Sequence, residues 1–104
     1  MAWEIEWSEY KARSNIKKHK ISFEEAKSVF LDPFSLTVED EIHSWKQDRF
    51  AILGRSDRGR ILFVIFRHSE EALRLISARH PTRFEKKAYI NGDIQAFFYS
   101  QNIR

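Results

Sequence analysis

A chain of 104 residues with 42% hydrophobic and 14% aromatic content can bury one core, so a single folded domain is expected, not a disordered chain. The formal net charge is only +3 and there is no cysteine, which removes disulfides, thiolate zinc sites and cysteine nucleophiles. No apolar run approaches the ~20 residues of a membrane helix, and the N-terminus carries acids where a signal peptide carries bases, so a soluble, cytoplasmic, unprocessed domain without membrane contact is expected.

The charge is unevenly spread. Lys11, Arg13, Lys17, Lys18 and Lys20 form an acid-free cluster, residues 22–48 hold seven acids against two lysines, and from residue 49 onward nine of eleven basic residues are Arg. Arg in such excess favours bidentate recognition of phosphate or carboxylate, although basic residues also simply solvate a surface.

In chain order, Trp3–Trp7 alternates apolar and acidic residues, as a half-buried strand does. Ser8 caps a helix through about Lys18, with the basic cluster on its exposed side. Ser22 and Glu25 have capping-box spacing before a second helix, whose Phe23, Ala26 and Phe30 share a face and which stops at Asp32-Pro33. Residues 35–39 alternate again. The polar stretch 40–48, with His43, Ser44 and Trp45, is the longest loop. Arg49–Ser56 and Ile61–His68 make a hairpin about Asp57-Arg58-Gly59-Arg60, and the unbroken apolar run Ile61–Phe66 belongs in the sheet centre with both faces covered. A turn at residues 69–72 leads to a strand with Leu73, Leu75, Ser77 and Arg79 on one face and Arg74, Ile76, Ala78 and His80 on the other. Thr82 and Glu85 then open a third helix as a capping box, ended by Gly92. The order βααββββα indicates an α+β, two-layer sandwich with an antiparallel sheet: one domain over residues 1–104, with a core of 1–91 and an extension of 92–104. In that extension Phe97, Phe98 and Tyr99 either dock on the sheet or offer a patch to a partner, and docking is the expectation.

No phosphate-loop, dinucleotide or zinc-protease motif is present, and the four His have no metal-ligand spacing, so no metal and no cofactor is expected. What remains is acid, base and electrostatic chemistry. Metal-free RNA cleavage needs the 2′-hydroxyl deprotonated, the leaving 5′-oxygen protonated and the phosphorane charge stabilised. An imidazole, with an ordinary pKa of ~6.5, suits either proton role, and Arg or Lys suits the charge. The strand end that carries Ser77, Arg79 and His80 up to the third helix, with Arg83 beyond, is a place where an anion such as an RNA phosphate would be held. Taken singly, each is better read structurally: Arg49 and Arg79 as pairing with carboxylates such as Asp48 or Glu85, Lys18-His19 as a helix end, and Glu24 and Glu25 as an ordinary first turn.

The elements Trp7-Ser8-Glu9-Tyr10-Lys11, Asn15-x-x-Lys18-His19-x-Ile21-x-Phe23-Glu24-Glu25-Ala26, Asp48-Arg49-Phe50, Gly54-Arg55-Ser56 and Arg74-x-Ile76-Ser77-Ala78-Arg79, in this order and separation, resemble the BrnT toxin family over roughly residues 3–90. The resemblance implies a RelE-like fold and a ribonuclease toxin of a bacterial type II toxin–antitoxin pair that inhibits translation. It implies neutralisation by a BrnA-like antitoxin in a 2:2 complex, with DNA contacted only indirectly through the antitoxin. Carried over by motif, Lys18, His19, Arg49 and Arg79 are the catalytic candidates, and Arg60, Arg67 and Arg83 the candidates for RNA contact. The chain departs from the family pattern at Lys20, where Gly is usual after Lys-His and where the left-handed backbone of a helix end would strain a side chain, and at Pro81, where Ala is usual.

Overall fold

A computed structural model describes residues 4–43 and 48–103. Five strands, β1 (Glu4–Glu6), β2 (Leu36–Glu39), β3 (Arg49–Arg55), β4 (Ile61–His68) and β5 (Ala72–Arg79), form one sheet in the order β1-β5-β4-β3-β2. The expected α+β class holds, with two differences. β2 to β5 are an antiparallel meander, but β1 pairs parallel with β5, so the sheet is mixed. The second difference is in the layers. Helices α1 (Glu9–His19) and α2 (Phe23–Ser28) pack on one face, while α3 (Arg83–Asn91) and α4 (Ile94–Asn102) pack on the other, so the sheet is covered on both sides rather than one. The unbroken apolar run of β4 required this: Leu62, Val64 and Phe66 enter the first core, Ile61, Phe63 and Ile65 the second.

The helix starts follow their caps. Ser8, Ser22 and Thr82 each accept a hydrogen bond from a first-turn amide, and Thr82 with Glu85 completes a reciprocal capping box. At Ser22 the box is only half made, because the Glu25 carboxylate turns away to Ser56 and Arg60. A 3-10 turn, Val29–Leu31, follows α2 and lies so close to β3 that a Cβ at Gly54 would stand 2.9 Å from the Val29 Cβ.

The C-terminal extension is a helix, α4, and it docks. Phe97 is fully buried, edge-on to Phe63 at 6.1 Å, and burying such a ring is worth roughly 2–3 kcal/mol. Asn102 fastens the end of α4 to the β2 side, donating to the Glu39 carbonyl and accepting from the Glu41 amide. Phe98 and Tyr99 stay exposed. A short 3-10 turn, Glu41–His43, occupies the start of the expected loop; Trp45 lies outside the described residues.

Candidate functional site

A bulge in β5 decides where its arginines point. Ile65 pairs with Ser77 but Phe66 pairs with Leu75, so Ile76 is an extra residue and the alternation reverses beyond it. Strict alternation put Arg79 with Leu73 and Leu75. Instead Leu73, Leu75 and Ala78 enter the core under α1 and α2, and Arg74, Ile76 and Arg79 face the α3/α4 side.

Arg79 is thereby laid over the Phe63 ring, 3.8 Å from its centroid, a cation–π contact. Its Nη1 and Nη2 donate to the two Glu85 carboxylate oxygens at 2.9 Å each, and Nη1 also donates to the His80 carbonyl. Glu85 is buried and also accepts from the Thr82 amide and from Gln101 of α4. Burial pushes its pKa up, but the Arg79 and Thr82 hydrogen bonds outweigh that and hold it below the ordinary carboxylate value. Arg79 keeps a third of its side chain exposed.

Asn15 brings the end of α1 to the same strand end. β1 stops at Glu6, opposite Arg74, which leaves the outer edge of β5 unpaired further on. There the Asn15 amide replaces a strand, accepting from the Ala78 amide at 3.0 Å and donating to the Ala78 carbonyl at 2.8 Å, while also holding the Ile21 carbonyl. His19 lies four residues on, ~6 Å further along the helix axis. Lys18 is exposed and His19 half-buried, at the end of the helix that packs on the sheet face opposite Arg79. Lys20 does take the left-handed conformation, φ 60°, and is the one described non-glycine residue with positive φ.

Arg49 lies elsewhere. It pairs across the sheet with Arg67, and Arg67 with Arg74, at the other end of the same face, four rungs or ~13 Å along the strands from the level of Arg79. Arg49 stands 3.5 Å from the buried Asp40, not Asp48, and Arg74 donates to Glu6 at 2.7 Å. Arg60 is at the hairpin end and makes a bidentate pair with Glu25 at 2.7 and 2.8 Å, to which the Ser56 hydroxyl also donates. The Arg60 hydrogen bonds bring the Glu25 pKa down to about 2 against the opposing effect of burial. Glu25 is therefore a buried anchor and more than a helix first turn. Arg83 is exposed at the start of α3.

Of the residues expected to share a groove, Lys18 and His19 end the helix on one face of the sheet, Arg79 lies on the other face with Arg83 at the start of the adjoining α3, Arg49 and Arg67 form a separate group further along the Arg79 face, and Arg60 stands apart at the hairpin. Among the described residues no cluster of three or more His, Asp or Glu could hold a metal ion. The sequence offers Asn15 and Arg74 as motif elements without a role: that of Asn15 requires knowing that β1 is short, and that of Arg74 depends on cross-strand neighbours.

Comparison with known proteins shows a family model and a solved structure to which this chain is similar. The model of a family described as the ribonuclease toxin BrnT of type II toxin–antitoxin systems matches residues 7–85. The crystal structure of the Brucella abortus ribonuclease toxin BrnT is 26% identical with a TM-score of 0.60, over 79% of this chain and 100% of that one. No curated protein matches.

Proposed function

The chain belongs to the BrnT family of ribonuclease toxins of type II toxin–antitoxin systems, and on that premise we propose that it is a metal-independent endoribonuclease that inhibits translation and is neutralised by a BrnA-like antitoxin. What supports this reading is the family match together with the Asn15 bonds to Ala78, which tie the helix that ends in Lys18 and His19 to the strand that ends in Arg79. In the proposed reaction the RNA 2′-oxygen attacks the adjacent phosphorus and the bond to the 5′-oxygen breaks. The 2′-hydroxyl loses its proton and the leaving 5′-oxygen gains one; His19 carries one of these two transfers and water the other, and Lys18 and the exposed part of Arg79 stabilise the charge on the phosphorane. Arg49 and Arg67 hold the RNA backbone further along the same sheet face as Arg79. Arg83 contacts it beyond the strand end, and Arg60 does so with the edge that Glu25 leaves. The antitoxin is proposed to form a 2:2 complex and to contribute any DNA contact.

The purified chain should cleave RNA in excess EDTA, and His19→Ala should slow cleavage by at least ~10². RNA left intact, or cleavage that requires Mg²⁺, would overturn the mechanism. One observation favours a second reading, a non-catalytic RNA- or ribosome-binding module: the Nη groups of Arg79 are already committed to Glu85 and His80. Toxicity that survives His19→Ala and Lys18→Ala but disappears when surface arginines are removed would favour it.

A further inference from the structure

One rung of the sheet carries five charges in a line: Glu6 of β1, Arg74 of β5, Arg67 of β4, Arg49 of β3, and Asp40 beyond β2, whose amide donates to the Arg49 carbonyl at 2.8 Å. All five side chains belong to the α3/α4 face, because Ile5, Phe50, Phe66 and Leu73 beside them are turned to the other core. The three arginines stand on adjacent strands ~4.8 Å apart. Helices α3 and α4 close over Phe63, Ala51 and Val38 but leave this rung open: Arg67 and Arg74 are exposed and Arg49 is about a quarter exposed.

Like charges directly opposite one another destabilise a sheet, so a line of three guanidiniums works against folding. The acids relieve only the outer two, Arg74 through Glu6 and Arg49 through Asp40. Arg67, in the middle, makes no ion pair among the described residues. The arrangement leaves surplus positive charge in a short line with an acid at each end.

We propose that the Arg49–Arg67–Arg74 rung is a phosphate-binding track for the backbone of single-stranded RNA, with Arg74 a ligand beside Arg67 and Arg49. This rests on the ribonuclease reading above and adds the course of the substrate. The strand crosses the sheet on this rung and continues along β5, past Ile76 and Ser77, to Arg79. Contacts of this kind fix position and not sequence, so the track is indifferent to the bases. Glu6 limits it on the β1 side by competing with phosphate for Arg74.

The test is binding of a fluorescent single-stranded 2′-O-methyl oligonucleotide, which lacks the attacking hydroxyl, measured as anisotropy across a salt series. Arg67→Thr and Arg74→Thr should each lower affinity roughly tenfold at 0.1 M salt and reduce the slope of log K against log salt by about 1. Lys27→Thr, at an exposed cation on α2 behind the opposite face, should change neither. Glu6→Gln should raise affinity about two- to fivefold, the value of an exposed ion pair, a gain that loss of folding would not produce. Arg67→Thr should also melt no lower than the parent protein. The track is overturned if both threonine variants fold and keep the parent affinity and slope, or if the parent does not bind the oligonucleotide. It is overturned in favour of a protein-docking surface if the variants bind the oligonucleotide normally but escape neutralisation by the antitoxin. Failure of the catalytic reading looks different: rung-dependent oligonucleotide binding with no cleavage of ordinary RNA.

Discussion

Two sets of arginines in this chain meet opposite fates. Arg79 and Arg60 each form a two-pronged pair with a buried glutamate, and each glutamate has a further donor, Gln101 for Glu85 and Ser56 for Glu25. At the other end of the sheet three arginines share two acids, and the middle one, Arg67, is exposed and makes no ion pair among the described residues. In the paired set the positive charge is consumed in joining elements: Glu85 ties β5 to α3 and α4, and Glu25 ties α2 to the β3–β4 hairpin. In the open set it is left over. An arginine count therefore overstates the charge available to RNA, and the partner of each arginine decides which job it does.

The largest expected effect is at Arg79. Arg79→Ala leaves the Glu85 carboxylate buried without its counter-ion and should cost ~3 kcal/mol or more, as breaking a buried pair does, lowering the melting temperature by about 15 °C. Loss of toxicity in that variant is therefore informative only beside a melting curve. Arg79→Lys keeps the charge but loses the two-pronged geometry and the stacking on Phe63. If Arg79→Ala melts like the parent protein, the pair with Glu85 is not structural and the contrast with the open rung collapses.

Arg60→Ala should cost less, about 2 kcal/mol, because Arg60 is more exposed and the Ser56 hydroxyl remains on Glu25. Chemical denaturation would measure it. RNA cleavage by the folded variant should fall far less than in His19→Ala.

Acid should act through the same pair. The folded-state pKa of Glu25, about 2, lies below its ordinary 4.5, so its contribution to stability is present above pH ~4.5 and is lost as pH falls towards 2. Glu85 is shifted in the same direction. Melting temperatures should therefore drop between pH 4.5 and 2, and Arg60→Ala, which removes the main cause of the Glu25 shift, should drop less over that interval. An identical acid profile in the two proteins would show that the pair does not set it.

Much of this was readable in the residues, for a reason: caps, turns and strand runs are local. Thr82 and Glu85, Gly59 at φ 81°, Gly92 at φ 64° and the doubly covered β4 all appear where their spacing put them. The site was less readable because its geometry is set by pairing. One inserted residue, Ile76, reversed the facing of Arg79, and nothing in the run Arg74–Arg79 marks a bulge. The parallel partner of β1, and with it the charge line from Glu6 to Asp40, depends on contacts up to 68 residues apart. Burial of Glu25 was hidden for the same reason, since an acid in a helix first turn needs no partner elsewhere in the fold.

The smallest expected effect concerns the one catalytic candidate pair outside both sets of arginines. Lys18 and His19 end α1 against Lys20, a side-chain-bearing residue in the conformation that glycine adopts without cost. Lys20→Gly should relieve that strain and stabilise the protein by about 0.5–1 kcal/mol, a rise of roughly 3–5 °C in melting temperature. The Asn15 bonds to Ile21 and Ala78 should continue to fix the end of α1. Cleavage should then stay at the parent rate, so that stability rises and activity does not move. A more stable but slower Lys20→Gly variant would show that the strained turn, and not Asn15, sets the position of Lys18 and His19.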